Sequence, residues 1–209
     1  MSMPPLGRLH VIVNPSPTDD GLDLAKSVLD AGAPLLQVRV KDVDDRERLR
    51  LTDAVTGLCR AYGATSIVND RADLALACHA DGVHGGETDL PVQALRTVVG
   101  PDKLVGGTAR DPFTARALEE QGADYIGVGP VFATRSKTSL PAPLGSGVLH
   151  EVVLAVDIPV IAISGITPER VGEVMSVGAH GVAVIGAIAD ADDPGRATVE
   201  LLAALEEWP

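Results

Sequence analysis

Residues 123–137 read Ala123-Asp-Tyr-Ile-Gly-Val-Gly-Pro-Val-Phe-Ala-Thr-Arg-Ser-Lys137. The apolar run stops at Gly129-Pro130 and gives way to two hydroxyls and two cations. Such a run, bounded by Gly and Pro, reads as a parallel strand buried on both faces. Thr134, Arg135, Ser136 and Lys137 then fall in the loop leaving its C-terminal end, where parallel α/β proteins bind ligands. Hydroxyl donors and a lysine charge are groups that hold phosphate oxygens.

Outward from this stretch the same unit repeats. Apolar runs stand at 9–14, 35–40, 65–69, 82–84, 103–107, 124–129, 159–164 and 181–185. Each precedes a segment with helical spacing, as at 44–61, 112–121 and 168–177. Strand then helix, eight times over, predicts a closed (β/α)8 TIM barrel in one domain spanning 1–209. An open doubly wound sheet would more naturally carry an early Gly-rich dinucleotide fingerprint, and none follows the first strand. Thr167-Pro168 and Asp111-Pro112 read as helix starts, and Gly32 and Gly178 as left-handed helix ends.

Composition bounds the partners. The 17 Lys+Arg against 29 Asp+Glu give a formal net charge of −12, a surface that repels nucleic acid and anionic membranes. Cys59 and Cys78 lack metal-ligand spacing and read as buried thiols of a reducing compartment. Residues 1–8 lack the features of a signal peptide, and no apolar segment approaches the ~20 residues that span a bilayer. The expectation is a cytoplasmic, soluble protein; homo-oligomerisation is compatible with this reading and not specified by it.

The strands' C-terminal ends collect the chemistry: Asn14; Gln37, Arg39 and Lys41; Asn69 and Asp70; His84, Glu87 and Asp89; Thr108; Thr134, Ser136 and Lys137; Ser164 and Gly165; Gly186. In a closed barrel these positions share one rim. Gln37, Arg39 and Lys41 alternate in the strand period and point inward if Val38 and Val40 face the helices. Two inward cations are costly unless an anion meets them, either a bound polyphosphate or a rim carboxylate such as Asp70. Asp70 and Asp89 suit Mg²⁺, which takes one or two carboxylates and completes its shell with water and substrate phosphate. The alternative for Asp89 is a cap on the helix beginning near Leu90-Pro91. His84 could be a base, a substrate contact or a satisfied core histidine; sequence favours the last. Ser164-Gly165 and Ile185-Gly186 close the seventh and eighth strands, where such barrels bind phosphate monoesters on backbone N–H groups.

These residues stand in longer motifs: Gln37-Val-Arg-Val-Lys41, Asn69-Asp-Arg-Ala-Asp-Leu-Ala-Leu76, Ala80-Asp-Gly-Val-His-Gly-Gly-Glu-Thr-Asp89, 123–137 with Pro143-Leu-Gly145, and Pro159-Val-Ile-Ala-Ile-Ser-Gly165. Together, in this order and spacing, they resemble the thiamine phosphate synthases over nearly the whole chain. The resemblance implies a transferase of thiamine biosynthesis that joins an aminopyrimidine methyl diphosphate to a thiazole phosphate and releases pyrophosphate. It implies further that Gln37, Arg39, Lys41, Asn69, Thr108 and Lys137 hold the pyrimidine diphosphate, with Arg39, Lys41 and Lys137 catalytic. Asp70 and Asp89 would hold Mg²⁺, and Thr134, Ser136, Gly165, Ile185 and Gly186 the thiazole phosphate.

Departures from the family's usual pattern fall at Thr108, where Ser is common, at Ser164, where the usual pair is two glycines, and at Gly186, where Ser is common. Val11-Ile-Val-Asn-Pro15 also differs from the usual Ile-Thr-Asp. Two rivals share the barrel. One is the sister family of thiazole tautomerases, which commonly lose the strand-two lysine and the metal carboxylates. The other is a non-catalytic thiazole- or thiamine-phosphate-binding protein.

Overall fold

The computed structural model describes residues 3–19, 21–134 and 141–208. Eight parallel strands close on themselves in chain order: β1 (Leu9–Val13), β2 (Leu35–Val38), β3 (Thr65–Asn69), β4 (Gly82–Gly85), β5 (Leu104–Ala109), β6 (Tyr125–Val128), β7 (Val160–Ile163) and β8 (Gly181–Val184). Helices α1 (Leu22–Asp30), α2 (Asp45–Tyr62), α3 (Ala72–Ala77), α4 (Val92–Val99), α5 (Pro112–Glu120), α6 (Gly145–Val153) and α7 (Pro168–Ser176) alternate with them. After β8 come the short α8 (Gly186–Ala189) and α9 (Pro194–Glu206). The eight expected strands are therefore present in a (β/α)8 barrel. β5 runs on to Ala109, while β2 ends at Val38, so Arg39 and Lys41 lie beyond its ladder; the Arg39 N–H still donates to Val13 O at 2.9 Å.

Strand parity divides the apolar residues into two cores. Val11, Val13, Leu36, Val38, Val40, Val68 and Val83 face outward into the layer shared with the helices. Ile12, Tyr125, Ile161 and Ala183 face inward, as do Leu35, Ile67 and Leu104, with Leu6 packed beneath both groups. The valines on β2 thus take the outer face as expected, leaving Gln37 buried in the barrel.

Helix starts follow the local chemistry. The Asp44 side chain accepts from Glu47 N and the Asp111 side chain from Thr114 N, each satisfying a first-turn donor worth about 1 kcal/mol. Thr167 occupies the expected N-cap of α7, but its hydroxyl donates to Glu169 Oε2 at 2.6 Å rather than accepting from the backbone. Gly32 and Gly178 have φ of 91° and 96°, the left-handed turns expected after α1 and α7.

At the barrel's N-terminal end, Arg8 donates through Nε to His180 O (3.1 Å) and through Nη1 to Trp208 O (2.9 Å). It ties the strand that opens the barrel to the one that closes it and to the segment after α9. No helix among the described residues is long and apolar enough to cross a membrane.

Candidate active site

The opposite end of the barrel gathers the polar residues. Asn14 follows β1, Arg39 and Lys41 follow β2, Asn69 ends β3, Thr108 lies near the end of β5, and Ile185 and Gly186 follow β8. Ser136 and Lys137 lie outside the described residues.

Asp70 follows β3 with a left-handed backbone (φ 66°), a conformation Asp tolerates better than most residues. Its N–H donates to His84 O at 2.8 Å, which pins the carboxylate beside β4. Lys41 forms an ion pair with this carboxylate. The rim carboxylate that sequence offered as an alternative partner for the cations is therefore real for Lys41. Arg39 reaches elsewhere, donating from Nη1 to Asn14 Oδ1 at 3.3 Å.

Asp89 does not cap a helix: α4 starts after Pro91, and Asp89 instead closes the turn after β4, its Oδ2 accepting from Gly86 N at 2.8 Å. Its carboxyl lies within hydrogen-bonding reach of Asp70. Burial and then the Asp70 carboxyl push its pKa above the usual carboxylate range, opposed by the Gly86 N–H and Lys41. Two crowded carboxyls, supplied with oxygen donors only and open to the rim, fit a hard divalent cation that would relieve their repulsion. No group of three or more His, Cys, Asp or Glu with metal-binding geometry occurs among the described residues. Remaining positions on the cation would thus fall to water and substrate oxygens.

Below this cluster lies a layer that sequence reading left undecided. His84 is buried, its Nδ1 3.0 Å from Tyr125 Oη and its Nε2 3.0 Å from Thr108 Oγ1. Burial pushes its pKa down to about 4 despite the nearby Asp89, so the ring is neutral at pH 7. Gln37 sits in the same layer, 5% exposed, with its side chain near the Tyr125 phenol.

On the other side of the rim the backbone after β6 runs beside β7: Val131 N donates to Ile163 O (2.9 Å) and Phe132 N to Ser164 O (3.1 Å). This carries Thr134 toward Gly165. Gly165 has φ 68°, and a Cβ there would stand 2.6 Å from Ala133 O, so backbone conformation and close approach both demand glycine. Ser164 adopts φ 80° without that freedom. Two arginines absent from the sequence reading brace this side. Arg170 donates to Gly165 O (2.7 Å) with its guanidinium 4.7 Å over the Phe132 ring. Arg110 donates to Gly129 O (3.1 Å) and Ala142 O (3.3 Å), tying both described ends of the loop. Arg110 continues the period of Gly106 and Thr108, a signal that could have found it; Arg170 on the first turn of α7 offered none.

A closed barrel with carboxylates and cations on one half of its C-terminal rim and a glycine-formed turn on the other defines a class: a (β/α)8 enzyme built for anionic substrates. Comparison with known proteins resolves the class to a family. Residues 9–188 match the model of the family described as thiamine monophosphate synthase. A thiamine-phosphate synthase of Salinispora arenicola is 46% identical over 97% of this chain and 99% of its own length. That of Chlorobium luteolum is 44% identical over 87% and 86%. A solved structure, the thiamine phosphate pyrophosphorylase of Pyrococcus furiosus, superposes with a TM-score of 0.86 at 34% identity, covering 96% of both chains. The chain belongs to the thiamine monophosphate synthase family.

Proposed function

We propose that this protein is a cytoplasmic transferase that joins 4-amino-2-methyl-5-(diphosphooxymethyl)pyrimidine to a thiazole phosphate, releasing pyrophosphate. The observation that carries this reading is the Lys41, Asp70 and Asp89 cluster, because a thiazole tautomerase has no pyrophosphate to expel and no use for it. Arg39, Lys41 and Lys137 meet the diphosphate, while Gln37, Asn69 and Thr108 lie along the path of the pyrimidine into the barrel mouth. Asp70 and Asp89 hold Mg²⁺, which when bound supplies positive charge against the departing pyrophosphate. Loss of the leaving group ahead of attack leaves a cationic exocyclic carbon, which the thiazole nitrogen then captures. No protein nucleophile is needed. Thr134, Ser136, Gly165, Ile185 and Gly186 hold the thiazole phosphate, largely through backbone N–H groups.

Incubating the pure protein with both substrates and Mg²⁺ tests the reading. Thiamine phosphate and pyrophosphate should appear in equal amounts and only with the metal. Tautomer interconversion without pyrophosphate would select the isomerase, and binding without turnover the non-catalytic reading. Asp70→Asn and Asp89→Asn, which keep the left-handed tolerance and the acceptor oxygen, should each lower turnover about 100-fold or more and shift the Mg²⁺ titration to higher concentration, with thermal stability little changed. A variant with wild-type turnover and titration would remove that residue from the site.

A further inference from the structure

We propose that Arg48 and Arg71 are positioning residues for the reaction: joined through Asp45, they hold the turn that presents Lys41 in register with the turn that presents Asp70. This role rests on the diphosphate and metal assignments proposed above. Lys41 stands in the turn 40–43 between β2 and α2, and Asp42 beside it has a left-handed φ of 58°. Among the described residues no backbone hydrogen bond holds positions 40–43. Arg48 supplies the ties instead: Nε donates to Val40 O at 3.3 Å and Nη2 to Val43 O at 2.9 Å. One rigid guanidinium plane thus spans both ends of the turn. Its remaining nitrogen, Nη1, donates to Asp45 Oδ1 at 2.5 Å, and at 20% exposed the Arg48 side chain is the most buried member of the network.

The same carboxylate oxygen reaches the neighbouring loop. Arg71 Nη1 donates to Asp45 Oδ1 at 2.8 Å, while its Nε and Nη2 grip Asp73 at 2.8 and 2.6 Å in a bidentate fork. Arg71 follows Asp70 directly, and its N–H turns back to Asn69 O at 2.9 Å. The guanidinium therefore leaves from the tight turn that carries the metal carboxylate. Lys41 and Asp70 also pair directly. That pair cannot keep the register during turnover, because Asp70 then faces Mg²⁺ and Lys41 the diphosphate. Arg48, Asp45 and Arg71 have no duty toward either ligand, so their bridge is free to stay closed when the pair opens. Asp45 is exposed, and exposed ion pairs add little to global stability, which leaves the bridge small value as a folding device. Misplaced reacting groups, in contrast, cost heavily in rate.

Arg48→Met keeps the aliphatic stem and removes every tie, while Arg71→Met and Asp45→Ala each cut the link between the loops. Each variant should lower kcat/KM for the pyrimidine diphosphate about tenfold and raise both its KM and the Mg²⁺ concentration for half-maximal rate, leaving the KM for thiazole phosphate unchanged. Loss of folded protein alone would lower kcat and move neither KM. Arg71→Met combined with Asp45→Ala should stay close to the worse single variant, since both break one link. Arg48→Lys keeps the charge but cannot span both carbonyls, and should recover only part of the loss. Full recovery in Arg48→Lys, wild-type constants in Arg71→Met and Asp45→Ala, multiplied effects in the double variant, or parallel change of both KM values would overturn the proposal. If Arg48→Met fails to fold, the Arg71 and Asp45 variants decide. A wild type that forms no thiamine phosphate would sink the assigned reaction and the positioning role with it; an active wild type with unaffected variants would remove the positioning role alone.

Discussion

Ser164 and Gly165 sit side by side in left-handed backbone, yet only one of them is glycine. For Ser164 the conformation costs roughly 1 kcal/mol that glycine would avoid, part of it offset because glycine gains freedom in the unfolded chain. Ser164→Gly should therefore raise the unfolding free energy by ~0.5 kcal/mol in urea without lowering activity. A fall would mean that the Ser164 side chain itself holds the turn. Gly186 is a different case. It opens α8 in helical backbone, which serine adopts freely, so its lack of a side chain reflects no conformational demand. If serine there donates to the thiazole phosphate, Gly186→Ser should lower that substrate's KM about tenfold and leave the KM for the pyrimidine diphosphate alone. Unchanged values, or both moving together, would show that the backbone alone makes the phosphate site.

Along the strands, what could be read from sequence was whatever ended abruptly. Gly129-Pro130, Asn69-Asp70 and Ser164-Gly165 each mark where an apolar run stops, and those stops place the rim. Facing was legible on β2, where Gln37 and Arg39 alternate with valines. On β6 it was hidden: Tyr125 to Val128 are all buried, so sequence parity could not say whether the phenol entered the barrel or met the helices. With Tyr125 unplaced, His84 had no visible partner, and the glycines at 106 and 127 read as ordinary small residues. The role of Asp89 was equally hidden, since a carboxylate before a Pro-led helix looks like a cap until the Gly86 turn claims it. The glycines now carry the element-scale prediction. Gly106→Ala should destabilise by ~2–3 kcal/mol, because its Cβ meets the packed rings of Tyr125 and His84 rather than a flexible chain end. A variant as stable as the wild type would mean that this layer has slack.

For the whole barrel, two buried neutral imidazoles set a limit in acid. Burial is the main cause that pushes His10 down to about 3, with His84 adding to it, while the unfolded chain titrates near 6.5. Above pH 6.5 both states are neutral at this site and stability is full. As pH falls from 6.5 toward 3, the unfolded state takes up protons that the native state refuses, and stability drops throughout that window. Urea unfolding should show this slope beginning well above the carboxylate range, and His10→Gln should reduce it, leaving the part due to His84. A wild-type profile flat between pH 6.5 and 5 would show that the native barrel admits the proton. The far end of the molecule bears on how such measurements can be made. The chain has one tryptophan, Trp208, whose carbonyl is held by Arg8 at the end of the barrel away from the rim. Its emission is thus a reporter of ring closure that substrates do not touch. A titration of either substrate should leave the spectrum still, while opening of the seam between the first and last strands should shift it to the red.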